Sequence, residues 1–226
     1  MEIITSLLSI IIVDLVLSGD NAVVIALASR RLPPKQQKWA IIYGTAGAVV
    51  LRVTMATVAV ILLKLPFLQL AGGTLLIWIA IKLLTNEGEN SNCTAANKLM
   101  GAIKTIIMAD FLMSLDNILA VAGVAKGNIP LLIAGLAISI PIMIFGSRLV
   151  LLLMERFPVI VYLGAGVLGW TAGEMIMSDQ KIIPLIHNSM SFLEWLVPLV
   201  LTLCVVGCGK WLSMRHGKTL ANEAGK

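Results

Sequence analysis

Seven apolar runs fill this chain almost end to end, each long enough to carry an α-helix across a hydrocarbon core of about 30 Å at about 1.5 Å per residue. They lie at about 3–29, 39–63, 67–85, 99–126, 130–154, 159–178 and 193–214. Breakers stand between them: Arg30-Arg31-Leu32-Pro33-Pro34-Lys35, Leu65-Pro66, the polar stretch 86–97, Ile129-Pro130 and Phe157-Pro158. Composition decides between a buried core and lipid. The chain is 58% hydrophobic and 13% charged, roughly half the charged share of about 25% in a soluble domain. The reading is one all-α membrane domain of seven transmembrane helices over 1–226, multi-pass in the plasma membrane.

Basic residues set the orientation. The net charge is +5, but Arg30, Arg31, Lys35 and Lys38 share one loop, and Lys210, Arg215, Lys218 and Lys226 share the tail. Charges that flank spans act as topology determinants rather than as a phosphate-binding surface, so nucleic acid is excluded as a partner. With the 30–38 loop cytoplasmic, the inside holds those eight with Lys98 and Arg156, and the outside holds only Lys64, Lys126 and Lys181. The expectation is N-out and C-in, with 215–226 a cytoplasmic tail. The N-terminal run lacks a basic n-region and a small-residue cleavage site and carries Asp14 mid-run, so it reads as a retained span rather than a signal peptide. Cys93 falls in a polar loop, while Cys204 and Cys208, one turn apart, read as small packing residues against a neighbouring helix.

The chain also repeats itself. A shift of 96 residues superposes Ile10, Ile11, Asp14, Ser18, Asp20 and Asn21 on Ile106, Ile107, Asp110, Ser114, Asp116 and Asn117, and carries Ala26 to Ala122 and Arg52 to Arg148. After a four-residue gap, a shift of 92 carries Pro66, Gly72 and Trp78 to Pro158, Gly164 and Trp170, with Lys82 opposite Glu174. Repeat 1 is about 3–85 and repeat 2 about 99–178, by the same periodicity. Three spans in each copy force the second into the opposite orientation. Inverted three-span repeats are a transporter architecture, with the site near the midplane where the copies meet. The extra helix at about 193–214 lies outside the repeat and is read as a packing or oligomerisation element.

Four of the five aspartates of the protein sit in the repeated motif D-x-x-x-S-x-D-N, at 14–21 and 110–117. A carboxylate at membrane depth costs roughly 2.5–3.5 kcal/mol on insertion scales, so four demand something positive among them. At about 100° per residue, Asp14, Ser18 and Asn21 share one helix face and Asp20 points away. A break at Ser18-Gly19 would swing Asp20 back, because discontinuous helices expose oxygen at the midplane. Leu115 occupies the equivalent place in the second copy and lacks that signal. The candidate metal ligands are therefore Asp14, Ser18, Asp20, Asn21, Asp110, Ser114, Asp116 and Asn117. No His or Cys lies in either motif. An all-oxygen set suits Mg²⁺, Ca²⁺ or Mn²⁺ and argues against Zn²⁺ or Cu⁺. Met113 reads as a core or lipid-facing residue, although as a softer ligand it would favour Mn²⁺ over Mg²⁺.

Arg52, Lys82, Arg148 and Glu174 are the other charges within spans, and they are assigned to charge pairing or gating. Arg52 lies mid-span and is expected to pair with an Asp. Lys82 and Glu174 occupy repeat-equivalent places and suggest an ion pair exchanged between access states, with snorkelling the alternative for Lys82 and for Arg148. Counting Asp14, Asp20, Asp110, Asp116 and Glu174 against Arg52, Lys82 and Arg148 leaves an interior charge that one divalent cation, or two protons, would cancel.

With DLVLSGDN at 14–21 and DFLMSLDN at 110–117, the chain closely resembles the TerC family of integral membrane proteins, within the LysE-like exporter superfamily. Arg52, Lys82, Arg148, Glu174 and the Gly72 and Gly164 segments extend the match over about 1–214, and the short length resembles the YjbE-type branch. The resemblance implies export of a divalent metal, manganese first, with Mn²⁺ as transported substrate and no organic cofactor. It also implies association with the secretion machinery through metallation of exported enzymes. Partners are then the metal ion and the bilayer, with a homo-oligomer admitted.

Other classes are weighed against this one. An intramembrane aspartyl protease needs two carboxylates sharing a proton, and its Tyr-Asp and Gly-x-Gly-Asp signatures are absent from these motifs, so the expectation is a non-enzyme. A membrane chaperone, its aspartates locking helix packing, and an amino-acid exporter, suggested by fold kinship alone, are the remaining alternatives.

Overall fold

The computed structural model describes residues 2–62, 67–85, 95–125, 128–179, 182 and 192–223, with side chains over 5–56, 67–85, 96–115, 128, 130–179, 182 and 192–212. Lys64, Pro66, Cys93, Lys126, Lys181 and Lys226 lie outside the described residues, as do the side chains of Asp116, Asn117, Ala122, Arg215 and Lys218.

Every described element is helical: α1 Glu2–Leu17, α2 Gly19–Ser29, α3 Pro34–Leu62, α4 Leu68–Leu84, α5 Ala95–Ala125, α6 Ile129–Arg156, α7 Val159–Met177 and α8 Leu193–Glu223. Each apolar run is thus helical, the first as two helices, while α3 and α5 start ahead of their expected bounds and α8 continues past 214 to Glu223, into the stretch read as a tail. By length and composition Pro34–Ala56, Pro130–Arg156, Val159–Met177 and Leu193–Leu212 qualify as membrane spans, and the α1–α2 pair, bent by 53°, makes a fifth. The seven-helix expectation also counts α4, an apolar helix of 17 residues, and α5, which carries Asp110 and two lysines.

The junctions follow from local chemistry. Asn128 caps α6, its side-chain oxygen accepting from the Leu131 amide at 3.1 Å, with Pro130 in the first turn where no amide is needed. Phe157-Pro158 ends α6 and starts α7. Arg30 closes α2 and donates to the Leu83 carbonyl at 3.1 Å. Burial, with Arg31 beside it, pulls its guanidinium down to about 10, which leaves it charged at neutral pH.

Small residues let the helices approach closely, as they do in lipid. A Cβ on Gly169 would sit 2.9 Å from the Thr202 Cα, and one on Gly173 would meet the Cα of Pro198, so α7 and α8 are in near-backbone contact. Gly72 and Gly73 of α4 face Met175, Ala172 and Ile176 of α7, while the Leu70 amide donates to Asp179 at 3.2 Å. The start of α4 therefore meets the end of α7, and the two run antiparallel. Gly44 and Gly47 of α3 receive Ile106 and Ile107 of α5, and Gly135 of α6 receives Ile10 of α1.

The surface is what a lipid solvent requires. Val16, Phe145 and Trp195 are 75%, 70% and 72% exposed, while Asp14, Asn21, Arg52, Asp110 and Ser114 are buried. Apolar outside and charged inside is the distribution of a bundle in hydrocarbon. Cys204 and Cys208 are on the exposed side of α8, not against a neighbouring helix, because α8 turns its Gly-facing side to α7 instead.

Candidate functional site

Ser18 leaves the helical region, with φ −108° and ψ 11°, and separates α1 from α2. Gly19 is the reason the break is cheap here: it is a poor helix former, worth about 1 kcal/mol less than Ala. In the second copy α5 is continuous through Leu115, a strong helix former, so the break belongs to one copy only.

The bend aims α2 at α5. Asn21 donates from Nδ2 to Asp110 Oδ1 at 2.9 Å. Upstream of the bend, Ser18 donates to Asp14 Oδ1 at 3.3 Å, one turn back along α1. Ser114 donates to Asp110 Oδ2 at 3.3 Å, the same one-turn contact in the second copy. Between the two carboxylates lies Arg52 from α3. Its Nη1 pairs with Asp14 and donates to Ser18 Oγ at 2.9 Å, and its Nη2 pairs with Asp110. The two motif copies thus meet across one guanidinium, as a mid-span arginine requires.

Three polar atoms of this cluster are buried without a hydrogen-bond partner: Asp14 Oδ2, Asn21 Oδ1 and Arg52 Nε. Two of them are acceptors. An unmet acceptor in a dry interior costs about 1–3 kcal/mol, so the cluster has capacity for one more cationic or donating group.

Asp20 is not part of the cluster. Its Oδ1 accepts from the Asn21 amide at 2.9 Å and its Oδ2 from Thr171 of α7 at 3.3 Å. The bend swings it towards α7, where it lines a cavity of about 830 Å³ with Met113, Trp170, Thr171, Glu174, Glu194 and Trp195. Thr171 and Glu194 were not foreseen. The 92-residue shift places Thr171 opposite Ile79, so no repeat signal marks it, and Glu194 lies outside the repeat.

Lys82 and Glu174 do not meet. Lys82 Nζ sits 4.8 Å from the Trp78 ring centre, and Glu174 accepts from Trp170 Nε1 at 2.8 Å. The reason is geometric. In antiparallel helices whose start and end are in contact at Leu70 and Asp179, Lys82 is twelve residues along α4 and Glu174 five back along α7. At about 1.5 Å per residue the two levels differ by about 10 Å.

Arg148 is likewise away from the cluster, beside Lys38 and Glu155 in a cleft at the opposite end from Glu194. Repeat-equivalent Ile10 and Ile106 contact Gly135 and Gly44, which are 91 residues apart rather than 96. Across these contacts the counterpart of Arg52 is Met143, itself buried, and the gap between the copies falls before α3 rather than after Arg52.

Among the described residues no group of three or more His, Cys, Asp or Glu side chains is placed to hold a metal by itself. The ligand capacity of the cluster lies in mixed oxygen donors: two carboxylates, an amide carbonyl and two hydroxyls.

Comparison with known proteins places the chain among integral membrane proteins. The family described as integral membrane protein TerC matches residues 1–217. The membrane protein YjbE of Bacillus subtilis is 44% identical over 201 residues, which is 89% of this chain and 92% of YjbE. The inner membrane protein YgdQ of Escherichia coli K12 is 30% identical over 165 residues, covering 65% of this chain and 69% of YgdQ. The Bacillus membrane protein YceF is 28% identical over 160 residues, covering 66% and 62%. No solved structure matches.

Proposed function

The chain belongs to the TerC family of multi-pass integral membrane proteins, and on that premise we propose that it exports a divalent metal cation, manganese first, through the oxygen cluster between its two motif copies. The observation that carries the reading is the pair of unpartnered buried acceptors, Asp14 Oδ2 and Asn21 Oδ1, beside two carboxylates from different motif copies. Hard oxygen donors without His or thiolate suit Mn²⁺ or Mg²⁺.

Seven spans in two inverted repeats suit this role. The antiparallel run of α4 against α7, and the matched seating of Ile10 on Gly135 and Ile106 on Gly44, support that arrangement. In this reading the cation enters or leaves through the cavity that holds Asp20, Glu174 and Glu194, where carboxylates raise its local concentration. The α1–α2 bend links that cavity to the cluster, since Asp20 and Asn21 are neighbours facing one each. A hydrolytic role is disfavoured, because Arg52 pairs with both carboxylates and they do not share a proton.

The test is manganese flux in proteoliposomes with a metal-quenched dye inside. Wild-type protein is expected to carry Mn²⁺, and Asp14→Asn and Asp110→Asn to lower the rate by about tenfold or more, the range for altered metal sites. Folded variants that carry Mn²⁺ at the wild-type rate would exclude the proposal.

A further inference from the structure

We infer that Arg52 is a resident competitor of the cargo: its guanidinium occupies the place of the divalent cation between Asp14 and Asp110, and cation binding requires it to leave. The inference rests on the export reading and adds the rule by which the site fills and empties.

Three observations lead there. First, Arg52 reaches both motif copies at once, Nη1 to Asp14 and Ser18 and Nη2 to Asp110, so it lies where the donors of both copies converge. A cation drawing on both carboxylates would need that same place. Second, the guanidinium satisfies the cluster incompletely. Asp14 Oδ2 and Asn21 Oδ1 stay unpartnered, and the two carboxylates and one arginine leave one negative charge over. A divalent ion in place of Arg52 would neutralise the pair and engage acceptors the planar fork does not reach. Third, the cluster has one such arginine, since the counterpart position across the Ile10 and Ile106 contacts is Met143.

The consequence is an exchange of cations. A bare pair of buried carboxylates would bind a divalent ion tightly and release it slowly. Arg52 weakens that binding by offering the same oxygens a competing charge, and its return displaces the ion.

The experiment measures Mn²⁺ affinity by electron paramagnetic resonance of free Mn²⁺, and flux in proteoliposomes, for wild type, Arg52→Gln and Arg52→Lys. Arg52→Gln is expected to bind Mn²⁺ at least about tenfold more tightly than wild type, as loss of a unit charge at contact distance allows even with strong screening, and to turn over more slowly. Arg52→Lys keeps the charge but loses the fork that spans both carboxylates, so it is expected to bind a few-fold more tightly and serves if Arg52→Gln does not fold. Equal or weaker binding in the folded variants overturns the competitor role. Flux in wild type without an affinity gain in the variants removes this inference and leaves the export reading. An affinity gain without wild-type flux does the reverse.

Discussion

Asp110 accepts from Arg52, Asn21 and Ser114, whereas Asp14 accepts from Arg52 and Ser18. Removing one partner of a buried ion pair costs about 3–5 kcal/mol because the other charge is left unpaired. Asp110→Asn is therefore expected to lower the unfolding midpoint in detergent more than Asp14→Asn, as read by thermal denaturation of matched samples. Equal losses would mean that the Asn21 bond, the one Asp110 has and Asp14 lacks, carries nothing. At this scale the sequence was legible where charge demanded a partner. Arg52 sits mid-span among aspartates, and pairing with an Asp was the one economical solution. Asp20 was not legible in the same way. Its partner Thr171 is 151 residues away on α7, in a position no repeat marks.

Gly19 makes the break between α1 and α2 affordable without being sterically required, since a Cβ there would meet nothing within 4 Å. Gly19→Ala is expected to fold normally and to gain up to about 1 kcal/mol of helix propensity, while export falls several-fold as the bend is opposed. Unchanged flux in proteoliposomes would show that the bend plays no part in transport. Gly173 is the opposite case. A Cβ there collides with the Pro198 backbone, so Gly173→Val is expected to push α8 off α7 and lower the thermal midpoint, whereas Gly101→Ala, inside α5 with open space around it, is expected to raise that midpoint slightly through helix propensity. Helix existence was legible because long apolar runs between prolines and basic clusters admit little else in lipid, whereas the end of α8 was not, since that helix continues beyond its apolar run to Glu223. The single break was legible from Gly19, and its absence from α5 follows from Leu115. What the pattern did not carry was the side each helix turns inward. Cys204 and Cys208 were expected against a neighbour and are exposed, because small residues on α7 had already fixed the packing side of α8.

Orientation is decided by the whole chain. With N-out and C-in, single cysteines at Gln37 and Ser178, in a background without Cys93, Cys204 and Cys208, are expected to label from opposite sides of sealed vesicles. Labelling from one side would exclude an α3 to α7 run that alternates across the membrane. The repeat was legible as a repeat, but its internal register was not. A gap placed by identity put Arg148 opposite Arg52, whereas helix contacts put Met143 there. Lys82 and Glu174 carry the same lesson, since matched places in two antiparallel helices lie level only near the middle of their contact, and these two differ in level by about 10 Å. The solitary arginine has one more consequence on the export reading. Two halves built on one plan would leave the empty site equally at ease facing either way. A methionine in one half and a guanidinium in the other, with a helix break in one copy only, would make the two facings unequal in energy before any gradient is applied. That inequality would set which side the empty site waits on, while the gradients set the direction of net flow.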